Sequence, residues 1–272
     1  MNDLMRELAP ISSEAWTQID EEARRTLKAL LAGRRLVDFK GPLGWSASAI
    51  SLGRVERIAT PVVEGVEARQ RRVQPLTEIR AVFEVSMDEL QAVERGAADA
   101  DLDPVRNAAR AVGMAEDQAV FGGYPAAGIQ GIFAVSAAQQ LDIPDKYEAY
   151  PDVVAEAVYR LRVAGVDGPY GIALGPRCYT GLTRSTARGY PIIEHVRKLL
   201  DGPIVSAPAA NGAVVMSLRG GDFELTVGQD FSIGYLSHHA STVQLYLQES
   251  FTFRVLSPLA AVPLIYPAKH AG

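Results

Sequence analysis

Apolar residues recur at three- and four-residue spacing from Ser12 to Gly33. Trp16, Ile19, Ala23, Leu27, Leu30 and Leu31 share one side of a helix, and Asp20, Glu21, Arg24, Arg25 and Lys28 fill the other. Ser12 or Ser13 can cap its first amides, and Gly33 offers a left-handed stop. Ahead of it, Leu4, Met5 and Leu8 outline a short amphipathic turn ended by Pro10. Gly41 to Trp45 reads as a loop, with weak strand signals near Val55 and Ile58. From Val62 to Val85, β-branched residues (Val66, Val73, Ile79, Val82, Val85) and Phe83 mix with charges, and few positions could fill a core. The pattern predicts a long β-hairpin projecting from a body. Such a hairpin is marginal alone in water and needs a surface to lie on, such as another subunit.

Ser86-Met87-Asp88-Glu89 has the form of a capping box and opens a short helix ending at Gly96. Asp103 as cap and Pro104 in the first turn start a long helix that runs to Phe121 and stops at Gly122-Gly123, with Val105, Ala108, Val112, Ala115 and Ala119 as its contact stripe. A second α/β region follows. Helices are expected from Pro151 to Gly165, over Pro176–Thr183 and over Pro191–Leu200, with extended pieces at Tyr170–Leu174 and Pro203–Ser206. The last third is β-rich: Val214–Leu218, Phe223–Val227, Phe231–Leu236, Thr242–Val255 and Ala261–Ile265. Val243 to Gln248 alternates strictly, as a half-buried strand does. Helices and strands interleave without a Pro- or Ser-rich linker, so the fold class is α+β with intertwined parts.

Composition narrows the class. With 48% hydrophobic and 22% charged residues the chain is neither disordered nor, lacking a long apolar run, membrane-spanning. The N-terminus has no apolar h-region and does not read as a secretory signal. One cysteine, Cys178, forbids an intrachain disulfide and fits a reducing cytosol. A net charge of −5 argues against a nucleic-acid surface.

The chain offers no coherent catalytic constellation. Adjacent His238 and His239 point to opposite faces of a strand and suit a solvated turn better than a metal site. His195 reads as exposed on a helix beside Glu194 and Arg197, and His270 lies in the tail. Cys178 reads as a quiet, partly buried thiol, and Gly44-Trp45-Ser46-Ala47-Ser48 fails the nucleophile-elbow pattern at its last position. Gly220-Gly221-Asp222 and Gly228-Gln229-Asp230 precede no helix, so they are not phosphate loops. Arg69-Gln70-Arg71-Arg72 alternates on a strand near Glu64, Glu67 and Glu78, a solvated or subunit-facing pattern. No catalytic residue and no metal ligand set is predicted.

Leu8-Ala9-Pro10, Trp16, Ile19-Asp20, Gly33-Arg34-Arg35-Leu36-Val37-Asp38 and Gly41-Pro42-Leu43-Gly44-Trp45 together resemble the N-terminal signature of family 1 encapsulin shell proteins, the linocin-like family. The resemblance continues through Pro75-Leu76, Val93-Glu94-Arg95-Gly96, Glu116-Asp117-Gln118-Ala119-Val120-Phe121, Gly168-Pro169-Tyr170 and Gly189-Tyr190-Pro191. It closes with Arg219-Gly220-Gly221-Asp222-Phe223, Gly228 to Tyr235 and Glu249-Ser250-Phe251-Thr252-Phe253. It implies a bacteriophage major-capsid-protein-like fold. By that resemblance residues 1–49, 79–131 and 219–272 form the peripheral domain, 50–78 the extended loop and 132–218 the axial domain.

The resemblance further implies a structural role, not an enzymatic one. Subunits, about 60 of them, would close into an icosahedral nanocompartment in the cytoplasm. The shell would enclose a cargo such as a dye-decolourising peroxidase or a ferritin-like protein, which brings any haem or iron and is held by its C-terminal peptide. Leu27, Leu31, Arg34, Asp38 and Ile233 match the family's peptide-capture positions: apolar side chains for aliphatic cargo residues, and charges to orient the peptide. Arg184, Arg188, Gly189 and Tyr190 match the loop around the five-fold pore, where rings of charge set selectivity. Asp88 stands where some members stack a flavin on an aromatic ring and offers no such surface, so the shell protein is expected to carry no cofactor. Neither nucleic acid nor membrane is an expected partner. Two alternatives compete. A phage capsid protein packaging DNA sits poorly with −5 repeated about 60 times, or about −300 per shell. A soluble hydrolase lacks a catalytic constellation.

Overall fold

The computed structural model describes residues 4–60, 62–187 and 189–267. The first part holds α1 (Ser13–Leu30), β1 (Asp38–Lys40), β2 (Ala49–Arg57), β3 (Arg69–Pro75), β4 (Thr77–Ser86), α2 (Met87–Glu94) and α3 (Asp103–Phe121). Next come α4 (Ile132–Val135), β5 (Leu141–Asp142), α5 (Tyr150–Val163), β6 (Tyr170–Leu174), α6 (Pro176–Arg184), β7 (Thr186–Ala187), β8 (Tyr190–Pro191), α7 (Ile192–Arg197), β9 (Ile204–Ser206) and β10 (Ala213–Ser217). Four strands follow: β11 (Phe223–Val227), β12 (Ser232–His238), β13 (Thr242–Val255) and β14 (Ala261–Ile265).

The Ser12 hydroxyl accepts a hydrogen bond from the Ala15 amide (3.2 Å) and starts α1, which buries Ala15, Trp16, Ile19, Ala23 and Leu27. The helix stops at Leu30, three residues before the expected glycine. Gly33 has a different duty. It opens a 3-10 turn pressed against α3, where a β-carbon would sit 3.0 Å from Asp117 Oδ1 and 3.2 Å from a Val120 methyl. On α3 the buried face is Val105, Ala108, Ala109, Val112, Gly113, Ala119 and Val120. Ala115, expected on that face, is exposed, because a 3.6-residue period carries Val112 on to Glu116, which is buried together with Asp117. Asp103 is the first helical residue of α3 and not its cap. The expected capping box on α2 forms only in part: Ser86 Oγ accepts from the Asp88 amide, whereas Glu89 turns away to accept from the Asp101 amide at 2.8 Å.

The first sheet is organised around β13. β4 pairs antiparallel along one edge, from Thr242↔Ser86 to Phe251↔Thr77. β12 and β11 lie end to end along the other edge, and β1 adds parallel to β11. Phe83, Val85, Leu245 and Leu247 meet Ile19, Ala23, Leu27 and Val112 of the helices in one apolar core. β13 is therefore a central strand, more deeply buried than its alternation suggested. Even Gln248 is enclosed, accepting from Arg80 and donating to Gln229.

The stretch Val62–Val85 is not a single hairpin. The two-stranded ribbon is β2 with β3, from Ala49↔Pro75 to Arg57↔Arg69, and β4 leaves it to join the body. The alternation Ile79, Ala81, Phe83, Val85 explains why, since that face enters the core. Gln74 ties the ribbon to β13 through hydrogen bonds to Thr252 Oγ1 (2.9 Å) and the Phe253 carbonyl (3.0 Å). Val55, Val62, Val63, Val66 and Val73 remain exposed along it.

The second sheet has the order β5-β14-β10-β6-β9, with β5/β14 and β6/β9 parallel and the inner pairs antiparallel. Every residue of β6 and β10 is buried, and α5 packs against β10 and β14. β14 thus lies in the second sheet while β11, β12 and β13 lie in the first, so residues 219–267 are divided between the two. Cys178 is fully buried, 3.0 Å from the Tyr266 hydroxyl. His238 and His239 are exposed at the β12–β13 turn. His195, expected to be exposed, is half-buried with its ring edge-on to Tyr190 at 5.1 Å between centroids. His270 lies outside the described residues. Among the described residues no helix is long and apolar enough to cross a membrane.

Candidate functional site

A groove of about 520 Å³ opens between α1 and β12. Its floor is Ala23, Leu27 and Leu31 from the helix with Ile233 and Leu247 from the sheet, and Arg24, Lys28, Arg34 and Asp230 stand around it. Four of the five sequence-derived capture positions, Leu27, Leu31, Arg34 and Ile233, come together here. Leu27 and Ile233 also belong to the core, so only part of each faces the groove, whereas Leu31 is half-buried and free to meet a guest. Asp38 is elsewhere. It lines a small recess with Arg35, Gly220 and Asp222, and its Oδ2 accepts the Gly221 amide at 2.6 Å. Gly220 and Gly221 both take positive φ, 84° and 80°, to make this tight loop, which Arg219 and Asp222 close by a two-point ion pair at 2.9 Å.

Arg34 is a hub for three carboxylates. Its Nη2 lies 2.7 Å from Glu116 Oε2 and contacts Glu249 Oε1, and its Nη1 lies 2.8 Å from Asp230 Oδ1. Phe231 and Phe39 flank the guanidinium at 4.6 and 4.9 Å. Burial opposes the charge on Arg34, but the three carboxylates outweigh it and raise its pKa above the ordinary value. One cation cannot neutralise three anions, two of which, Glu116 and Glu249, have no exposure. Burial and the neighbouring Glu116 therefore push the Glu249 carboxyl well above its ordinary pKa, which favours its protonated form.

Next to this cluster, Asp117 accepts the Ala32 and Gly33 amides at 2.8 and 2.9 Å, fixing the turn that carries Arg34. Burial raises its pKa to about 7 against the pull of those two hydrogen bonds. A carboxyl with a raised pKa holds its proton more tightly in the fold than in the unfolded chain. Its contribution to stability is complete below the ordinary carboxylate range and is lost as pH rises through about 7. The pH dependence of the unfolding midpoint should therefore be shallower in Asp117→Asn between about pH 4 and 7. Parallel curves for the two proteins would show that Asp117 does not titrate there.

Glu116, Asp117 and Glu249 were not singled out from the sequence as a site. The available signal was two adjacent acids falling on the apolar stripe of α3, where a buried charge needs a partner. In the part of the chain that packs on the second sheet, Arg184 ends α6, and Gly189 (φ 79°) turns the β7–β8 ribbon so that Tyr190 lies exposed beside His195. Among the described residues Arg184 has no carboxylate partner. Arg188 lies outside the described residues.

The two-sheet body with a projecting ribbon is that of a viral capsid subunit. A virus-like particle from Pyrococcus furiosus superposes with a TM-score of 0.64 at 16% identity, covering 92% of this chain and 99% of that one. The capsid of Myoviridae phage XM1 superposes with a TM-score of 0.55 at 9% identity, covering 87% and 92%. These likenesses define the fold. Sequence defines the family: the family model described as "Encapsulating protein for peroxidase" (Linocin_M18) matches residues 1–252. A type 1 encapsulin shell protein from Rhodospirillum rubrum is 55% identical over 270 residues, covering 97% of this chain and 96% of its own. Another from Rhodococcus erythropolis is 48% identical over 264 residues, covering 97% and 100%. The chain belongs to the encapsulin shell-protein family.

Proposed function

We propose that this shell protein closes with copies of itself into an icosahedral nanocompartment of about 60 subunits in the cytoplasm, and that the α1–β12 groove holds the C-terminal peptide of an enclosed cargo enzyme. The observation that carries the capture reading is the groove itself. Aliphatic side chains form its floor and charged ones its rim, on a scale that suits an extended peptide. The exposed valines of the β2–β3 ribbon support assembly, since a protruding apolar ribbon is stable only against a neighbour. The family description names a peroxidase, and one relative, 24% identical, from Kuenenia stuttgartiensis is a diheme-cytochrome–encapsulin shell fusion protein. Both favour a redox cargo, either a dye-decolourising peroxidase or a ferritin-like protein. In this reading haem or iron chemistry belongs to the cargo, and the shell is not an enzyme. Arg184, Gly189 and Tyr190 border the opening at the five-fold vertex, and Asp38 holds the Gly220–Gly221 loop instead of touching the peptide.

The purified chain should elute as a megadalton particle, with hollow spheres in negative stain; elution as a monomer or small ring would end the shell reading. Leu31→Asp, at a half-buried groove position, should leave the particle intact and cut the co-purifying cargo about tenfold, as expected for a lost apolar contact of about 1.5 kcal/mol. Unchanged loading would remove the groove from cargo capture.

A further inference from the structure

The groove has a second wall besides α1: the outer edge of β12. Tyr235 pairs with Leu245 in the sheet, yet its amide points the other way and donates to the Leu4 carbonyl at 2.9 Å. Amides two residues apart in a strand point to the same side. The N–H and C=O of Ile233, two residues earlier in the same register, therefore face away from β13 and into the groove. No described residue takes them up. β12 carries neither proline nor a Lys, Arg, Asp or Glu side chain, the usual means by which an open edge is blunted. Leu4 already lies on this edge at Tyr235, and among the described residues none pairs with the edge at Ile233, beside the apolar floor of the groove.

The rim adds a direction. Arg6 is held by Asp20, and Arg34 by its three carboxylates. Arg24 and Lys28, one turn apart on α1, are exposed and have no carboxylate partner among the described residues. They are the charges left for a guest, and a C-terminal peptide always brings one anion, its terminal carboxylate.

We infer that the cargo peptide is captured by strand addition: it lies as an extra β-strand on the outer edge of β12, bonded through the Ile233 backbone, with its terminal carboxylate at Arg24 and Lys28. The inference rests on the groove being the capture site. Alternate side chains of the peptide then point down to Ala23, Leu27 and Leu31, and the others face the shell interior. Recognition would tolerate any aliphatic residues at every second position and depend on the peptide backbone between them.

The probe is a synthetic peptide copying the C-terminal segment of the protein that co-purifies inside the shell, mixed with dissociated subunits that are then reassembled into particles without cargo. Binding should slow hydrogen exchange in the segment 231–236. Single N-methylation along the peptide should weaken binding about tenfold at the position whose amide faces the Ile233 carbonyl and little at the positions on either side, since that methyl removes the one donor the edge receives. Amidation of the terminal carboxylate should weaken binding several-fold at low salt and much less at about 0.5 M salt. A flat N-methylation profile, with the unmodified peptide still bound and still lost in Leu31→Asp, would overturn strand addition and leave the groove reading intact. Equal binding of amidated and free peptides at low salt would overturn the carboxylate contact. Failure of the unmodified peptide to bind particles that load native cargo would overturn the groove reading itself.

Discussion

Arg34→Met is expected to yield little folded subunit at pH 8 and markedly more at about pH 5. The substitution keeps the bulk of the side chain and removes the one cation shared by Glu116, Glu249 and Asp230. Two of those carboxyls have no exposure and cannot turn to water. Breaking a buried pair by deleting one partner typically costs about 3–5 kcal/mol, a large share of the roughly 5–15 kcal/mol that holds a domain together. The sign of the pH effect follows from Glu249, whose pKa is already raised by burial and by Glu116. Without Arg34 it rises further, so the fold tolerates the cluster only when protons replace the missing charge. Stability is retained in acid and lost as pH climbs through the raised value. Equal losses at both pH values, in denaturant titrations of dissociated subunits, would sink this account. Adding Glu249→Gln should restore part of the stability at pH 8.

Gly131→Ala is expected to prevent folding or to cost about 3 kcal/mol or more, at the upper end of overpacking effects. A β-carbon at Gly131 would sit 2.2 Å from the Gly123 nitrogen, 2.5 Å from the Gly122 carbonyl carbon and 2.6 Å from the Phe121 oxygen. All three are backbone atoms at the end of α3, locked beside the buried Phe121, Ile129 and Ile132, so no side chain can swing aside. Gly128→Ala is the control. Its φ of 70° strains an alanine, but nothing lies within 4 Å, and the cost should stay near 1–2 kcal/mol. Equal unfolding midpoints for the two variants would refute the packing argument.

The contrast between these glycines shows what was legible in the chain. Local signals placed most elements within a few residues. Ser12 capped the first helix as expected, and Phe223–Val227, Thr242–Val255 and Ala261–Ile265 are strands at their expected limits. Partners were harder, because pairing is set by distant residues. Nothing near Ala261–Ile265 reveals that it joins Leu141 and Ala213 and leaves the strands beside it in sequence. Gly33 looked like a helix stop because glycine usually serves there, but Asp117, which makes the glycine necessary, lies far along the chain. The groove followed the same rule. Leu27 and Leu31 were visible from helical spacing, whereas the acids that grip Arg34 became visible only once α3 and β13 were packed together.

The placement of β14 also sets the timing of subunit formation. Leu141 pairs with Leu264, about 120 residues later, and at the usual pace of synthesis this interval is on the order of ten seconds. Until then the second sheet lacks the strand that joins β5 to β10, and the core beneath it stays open. A growing chain therefore cannot complete the second sheet before Ala261–Ile265 has been made, and until then the apolar faces of β5, β10 and α5 lack the strand that binds them together.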